Sequence, residues 1–212
     1  MSLITLKNVK KEYGKNQVLF ENLSLEIEKG EFVGLVGKSG AGKTTLLNII
    51  GLITDISEGT ITIDSHKNLS MNGKNAMILR RYTIGYLFQN YGLIEDESVL
   101  WNLKLALEYK KVKKEEKLKL INKYLKQFEL SDMLNKKVYQ LSGGEQQRIA
   151  IIKLILQGSQ IILADEPTSG LDKENELIVM KLLKELNEKG ITIIMVTHNM
   201  NLCDCFSRAI NV

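Results

Sequence analysis

Apolar residues follow two rhythms along this 212-residue chain. In the runs 3–9, 17–27 and 59–63 they alternate in steps of two, with turn residues between the runs. That is the pattern of strands with one covered face, and it predicts a small antiparallel sheet. Residues 33–36, 84–88, 161–164 and 191–196 are instead short continuous apolar runs. Such runs suit strands buried on both faces. Helical spacing marks 44–50, 143–157 and 173–188. Buried strands alternating with helices predict an α/β fold, a largely parallel sheet flanked by helices. Residues from about 95 to 140 are lysine-rich, almost free of glycine and helical in pattern, which predicts an inserted helical subdomain.

Chemistry enters between the strand at 33–36 and the helix at 44–50. There the chain reads Gly37-Lys38-Ser39-Gly40-Ala41-Gly42-Lys43-Thr44, followed by Thr45. This is the G-x-x-x-x-G-K-T pattern in a strand–loop–helix setting. Gly37, Gly40 and Gly42 let the backbone turn back and aim N–H groups inward, and the helix adds its positive end. Lys43 would reach the β- and γ-phosphates of a nucleotide and Thr44 would ligate Mg²⁺. The loop does not distinguish ATP from GTP.

A second acidic signal closes the apolar run 161–164. Asp165 and Glu166 stand at the mouth of a buried strand, where Asp165 would hold Mg²⁺ and Glu166 would act as general base on water. A bland alternative is a cap or a solvated turn. Pro167, the single proline, fixes its own φ and biases Glu166 toward an extended backbone. Ser142-Gly143-Gly144-Glu145 also has two compatible meanings. Ser-x-x-Glu before an apolar run is a capping box. A helix start opened by two glycines also exposes N–H donors to a phosphate, which need not be the one on Lys43.

Together, residues 37–44, Leu141-Ser142-Gly143-Gly144-Glu145, Asp165-Glu166 and His198 resemble an ATP-binding cassette (ABC) ATPase over nearly the whole chain. The resemblance implies a P-loop NTPase core with a RecA-like parallel sheet, an N-terminal antiparallel subdomain and an inserted helical subdomain. It implies one ABC ATPase domain over 1–212. The core and β subdomain would take about 1–88 and 158–212, and the Q-loop, helical subdomain and signature helix about 89–157. It places Tyr13 on the adenine and makes Gln89 a sensor of Mg²⁺ and the γ-phosphate. Asp172 falls in a loop crossing between protomers, and is expected to cap the following helix in the same chain as well. His198 becomes the switch histidine. ATP and Mg²⁺ are the implied ligands, in a head-to-tail homodimer where Lys43 of one copy faces Ser142–Gly144 of the other. Residues 79–94 and 163–168 most resemble the macrolide-export and lipoprotein-release branch. That branch implies export of a peptide, lipoprotein or drug-like substrate, or mechanical coupling, through a multi-span permease docking near Gln89. The alternative is a soluble ABC ATPase acting on DNA or ribosomes. Two departures stand out: Lys153 where the family has arginine, and a chain ending at Val212, which predicts a pared-back C-terminal edge.

Bulk properties narrow the picture further. With 44% hydrophobic residues a sizeable core is within reach. The net charge of +4 is mild, and four of the 29 basic residues are arginines. That balance argues against specific nucleic-acid recognition. The lysines at 110–119 are interrupted by Glu115 and Glu116 and read as a solvated helix face. No stretch of eighteen apolar residues and no signal sequence is present, so a cytoplasmic protein, peripheral on the membrane's inner face through its permease, is expected. Cys203 and Cys205 read as incidental thiols.

Overall fold

The computed structural model describes residues 2–14 and 17–212. In chain order the first elements are β1 (Ser2–Tyr13), β2 (Gln17–Glu28), β3 (Phe32–Val36), α1 (Lys43–Ile50), β4 (Glu58–Ile63), α2 (Lys74–Tyr82) and β5 (Ile84–Leu87). There follow α3 (Val99–Ala106), α4 (Lys114–Gln127), α5 (Gly143–Gln157), β6 (Ile161–Asp165), α6 (Lys173–Glu188), β7 (Thr192–Val196) and β8 (Arg208–Asn211). Short 3₁₀ turns occupy 131–133, 138–140 and 200–205.

The strands form two sheets. β2, β1 and β4 make the antiparallel sheet in that order. The other five make an all-parallel sheet in the order β5-β6-β7-β3-β8. The period-two runs thus became the antiparallel sheet and the continuous runs the parallel one.

Side-chain alternation explains why the central strands are apolar throughout. Ile162 and Ala164 on β6, and Ile193 and Met195 on β7, point into a cluster shared with α3, α4, α5 and α6. Their neighbours Ile161, Leu163, Ile194 and Val196 point the other way, into a cluster built from α1 and the antiparallel sheet. Both faces are covered, so the strand interiors are apolar and the buried polar residues, Thr192 and Asp165, stand at strand ends where they find hydrogen-bond partners.

The chain's end adds a strand that the apolar pattern did not announce. Residues 208–211 are a full edge strand, with Gly34 opposite Ala209, and Val212 N–H donates to Val36 O at 2.9 Å. Only Ile210 offers an apolar side chain of any size in β8, so burial gives little sequence signal there; the strand forms because β3 leaves it a free edge.

Candidate active site

The parallel topology sets the site. Ligand groups in such sheets gather at the carboxyl ends of the strands. Here those ends carry Gln89 beyond β5, Asp165 and Glu166 at β6, His198 beyond β7 and the glycine loop beyond β3. Because β7 lies between β6 and β3, with neighbouring strands about 4.8 Å apart, Thr44 reaches Asp165 and Glu166 reaches His198 despite their sequence separation.

The loop is built around Lys43. Its side chain folds back, and Nζ donates to Gly37 O at 2.9 Å and Lys38 O at 2.8 Å. Gly42 caps α1 with φ of 97°, and a Cβ there would stand 2.7 Å from the Phe20 ring, so conformation and space both demand glycine. α1 has no side-chain cap and no acid in its first turn, leaving its positive end and N–H donors unneutralised by the protein. One cleft is lined by Tyr13, Ser39, Gly40, Gly42, Lys43, Thr44, Thr45 and Glu166, together with Gln17, Leu19 and Val196. Tyr13 is half exposed, with its hydroxyl 3.5 Å from Thr45 Oγ1 and Lys11 Nζ 4.7 Å from its ring centre.

Thr44 Oγ1 donates to Asp165 Oδ1 at 3.1 Å, bringing two hard oxygens together. Burial pushes the Asp165 carboxyl above its usual range; the Thr44 hydrogen bond opposes this, the Glu166 charge adds to it and Lys43 opposes it again. Glu166 departs from the extended backbone predicted from Pro167: its φ is +48°. A side-chain-bearing residue in that region costs about 1–3 kcal/mol. Hydrogen bonds outweigh the local preference. Glu166 N–H donates to Val196 O at 3.1 Å, Ser169 N–H to Glu166 O at 3.0 Å, and the buried Gln147 amide to Pro167 O at 2.7 Å. The turn aims the Glu166 carboxylate at His198, whose Nδ1 lies 2.9 Å from Oε2. A second cleft, lined by Glu166, Ser169, Gly170, Glu176 and His198 among others, continues from there.

The other predicted residues lie apart. Ser142, Gly143, Gly144 and Glu145 line neither cleft. They form the predicted capping box: Ser142 Oγ accepts from Glu145 N–H at 3.3 Å, and Glu145 Oε2 from Ser142 N–H at 2.7 Å. Among the described residues the Gly143 and Gly144 N–H groups meet no acceptor. Asp172 caps α6 by accepting from Asn175 N–H at 2.8 Å, and hydrogen bonds from the Asn175 backbone and side chain lower its pKa. Gln89 is exposed and lines neither cleft. Beyond it, Leu93 is core while Ile94 is half exposed.

Several supporting residues escaped sequence reasoning. Asn175 binds both Asp172 and Arg148, and a Cβ on Gly144 would stand 2.2 Å from Asn175 Oδ1. Lys153, noted only as a departure from arginine, donates to Gly92 O at 2.7 Å. A signal existed for Gln147 alone, a polar residue on the buried stripe Gly144–Gln147–Ile151 of α5.

A glycine loop gripping its own lysine, facing a strand-end Asp-Glu pair across a parallel sheet, defines a P-loop nucleotide-binding site. The family model described as ABC transporter matches residues 20–169, and the chain belongs to that family. It is 41% identical to the macrolide export ATP-binding/permease protein MacB of Campylobacter jejuni over 99% of its own length but 33% of the relative's. The chain thus spans about a third of such relatives. An uncharacterized ABC transporter ATP-binding protein of Methanocaldococcus jannaschii is also 41% identical, with 99% and 95% covered. Among solved structures, a cassette in a dimeric post-hydrolysis state with ADP and Pi superposes with a TM-score of 0.88 at 39% identity, covering 99% of this chain and 94% of that one. CbiO1 of Clostridium perfringens, part of a transporter complex, gives 0.87 at 27%, with 99% and 84% covered.

Proposed function

We propose that this chain binds and hydrolyses ATP as one half of a head-to-tail pair and thereby drives a separate membrane protein. The observation that carries this reading is the separation of two phosphate-ready surfaces. Lys43 and the α1 N-terminus sit in one cleft; the free Gly143 and Gly144 N–H groups lie outside it. A second copy, related by a two-fold axis, brings each surface to the other, twice. The dimeric form of a relative holding ADP and Pi supports the pairing.

The residues take the following roles. Lys43 and the N–H groups of the loop hold the β- and γ-phosphates, and Tyr13 stacks on the base. Thr44 and Asp165 hold Mg²⁺, a fit consistent with two hard oxygens 3.1 Å apart and the ion's habit of completing its shell with phosphate and water. The ion would neutralise charge developing on the phosphates. Glu166 takes the proton of the attacking water, and His198 steadies its carboxylate. Gln89 reports the γ-phosphate to the membrane partner. Ser142, Gly143 and Gly144 close on the partner copy's nucleotide, with Asp172 near the crossing. Nucleotide between the copies favours the closed pair; hydrolysis removes the bridging γ-phosphate and releases it.

The membrane partner is supported by the relatives' names. MacB is named as a combined ATP-binding/permease protein, and the Methanocaldococcus jannaschii relative as an ABC transporter ATP-binding protein. Among the described residues no helix is long and apolar enough to cross a membrane. A separate permease docking beside Gln89, where Phe88 and Ile94 are exposed, would hold the chain on the inner face of the membrane. Export of a drug-like molecule fits the relatives named for macrolide export; a peptide or lipoprotein cargo is part of the same proposal.

Ser142→Arg tests the composite site. The substituted side chain is far from Lys43 in its own chain but would enter the facing copy's site. Hydrolysis is expected to fall to background, with ATP affinity of the free chain unchanged. Undiminished hydrolysis would return residues 142–145 to a capping role alone. Tyr13→Ala is expected to weaken ATP about threefold to tenfold, the worth of one aromatic stack, and to narrow the preference over pyrimidine nucleotides in competition binding. Equal ATP affinity would make Tyr13 a surface residue.

A further inference from the structure

We propose that Tyr91 is a positioning residue for the phosphate-facing start of α5, and that Tyr91 and Lys153 together gear the turn after β5 to that helix. The proposal rests on the composite-site reading above.

The turn is tight. Tyr91 N–H donates to Phe88 O at 2.9 Å and Gly92 N–H to Asn90 O at 2.8 Å. Tyr91 has φ of 64° and Gly92 of 62°, two consecutive left-handed residues, the first bearing a large side chain. A tyrosine keeps that backbone only where its surroundings fix it.

Two contacts do so, both with α5. At the helix start Tyr91 Oη lies over Gly143, so close that a Cβ added there would stand 2.9 Å from it. Further along, Lys153 Nζ donates to Gly92 O. Residues 143 and 153 are about 15 Å apart along the axis. Helical side chains lean toward the N-terminus, so Lys153 reaches back to the turn while Tyr91 reaches on to the helix start. Lys153 is half-buried and burial lowers its pKa, yet no carboxylate pairs with it among the described residues. Its Nζ donates to a single backbone carbonyl.

The consequence is mechanical. Gly143 carries one of the N–H donors assigned to the facing nucleotide, and Gln89 opens the turn that Tyr91 anchors. A displacement of the turn is passed to those donors by direct contact. It also gives Gly143 a second reason to be glycine, since any side chain there would push Tyr91 away.

A double-mutant cycle on the full chain tests this, with hydrolysis of Mg·ATP, ATP affinity and thermal midpoint measured together. Gly143→Ala is expected to lower kcat about tenfold to a hundredfold, the scale of an ångström-size misplacement, with ATP affinity unchanged. Adding Tyr91→Phe, which removes Oη, is expected to recover most of that loss. Lys153→Met should lower kcat and Lys153→Arg should retain it better. A double variant no faster than Gly143→Ala overturns the proposal, as does an unaltered kcat in Gly143→Ala. If the parent chain does not hydrolyse ATP, the composite-site reading falls instead. The contact is then judged by the midpoints, and a double variant that melts no higher than Gly143→Ala overturns it.

Discussion

Glu166→Gln is expected to slow ATP hydrolysis by about 10²–10⁴-fold, the range a positioned general base supplies, while Mg·ATP still binds. The substitution keeps the size of the side chain and removes its basicity. Little else should change, because what aims Glu166 is mostly backbone: its N–H on Val196, its carbonyl accepting from Ser169, and the Gln147 amide on Pro167. The amide can still hydrogen-bond His198, so geometry is preserved and chemistry is not. Trapped ATP would then hold two copies together, and a larger species should appear in light scattering only with nucleotide. A variant that turns over ATP at the parent rate would remove Glu166 from the base role. A slow variant that stays monomeric with saturating Mg·ATP, alone and with its membrane partner, would remove the composite site.

Lys43→Ala acts on an earlier step, and ATP binding itself is expected to fall by about tenfold to a hundredfold. A hydrogen bond to a charged group contributes about 1.5–3 kcal/mol, and Lys43 would make such contacts with the β- and γ-phosphates. The lysine is 8% exposed and held by the carbonyls of Gly37 and Lys38, so its ammonium is already placed inside the loop. Its removal also frees those two carbonyls to repel phosphate. Direct titration with ATP separates this from a loss of catalysis alone. Unchanged affinity, with the variant folded, would contradict the loop's assignment as the phosphate cradle.

Much of this was legible in the chain because the signals are local. The loop 37–44 needs closely spaced glycines and a lysine, and the capping box 142–145 needs one helical turn. The period-two and continuous apolar runs report burial on one or both strand faces. Such features depend on neighbours a few residues away, which sequence displays directly. Glu166 was misread because the local rule for a residue before proline was overruled by hydrogen bonds to Val196 and Ser169, one of them supplied by a strand thirty residues distant. β8 was missed because its signal is the free edge of β3, not its own composition.

What the sequence alone determined is therefore the parts: strands, helix starts, the phosphate loop and the acids, each fixed by short-range sterics and patterning. Tertiary structure decided their conjunction. Only the order β5-β6-β7-β3-β8 brings Lys43, Asp165, Glu166 and His198 to one sheet end while leaving Ser142–Glu145 elsewhere. Only packing presses Tyr91 against Gly143 and Asn175 against Gly144. Contacts of that range depend on how chain segments cross in space, a property no window of residues contains.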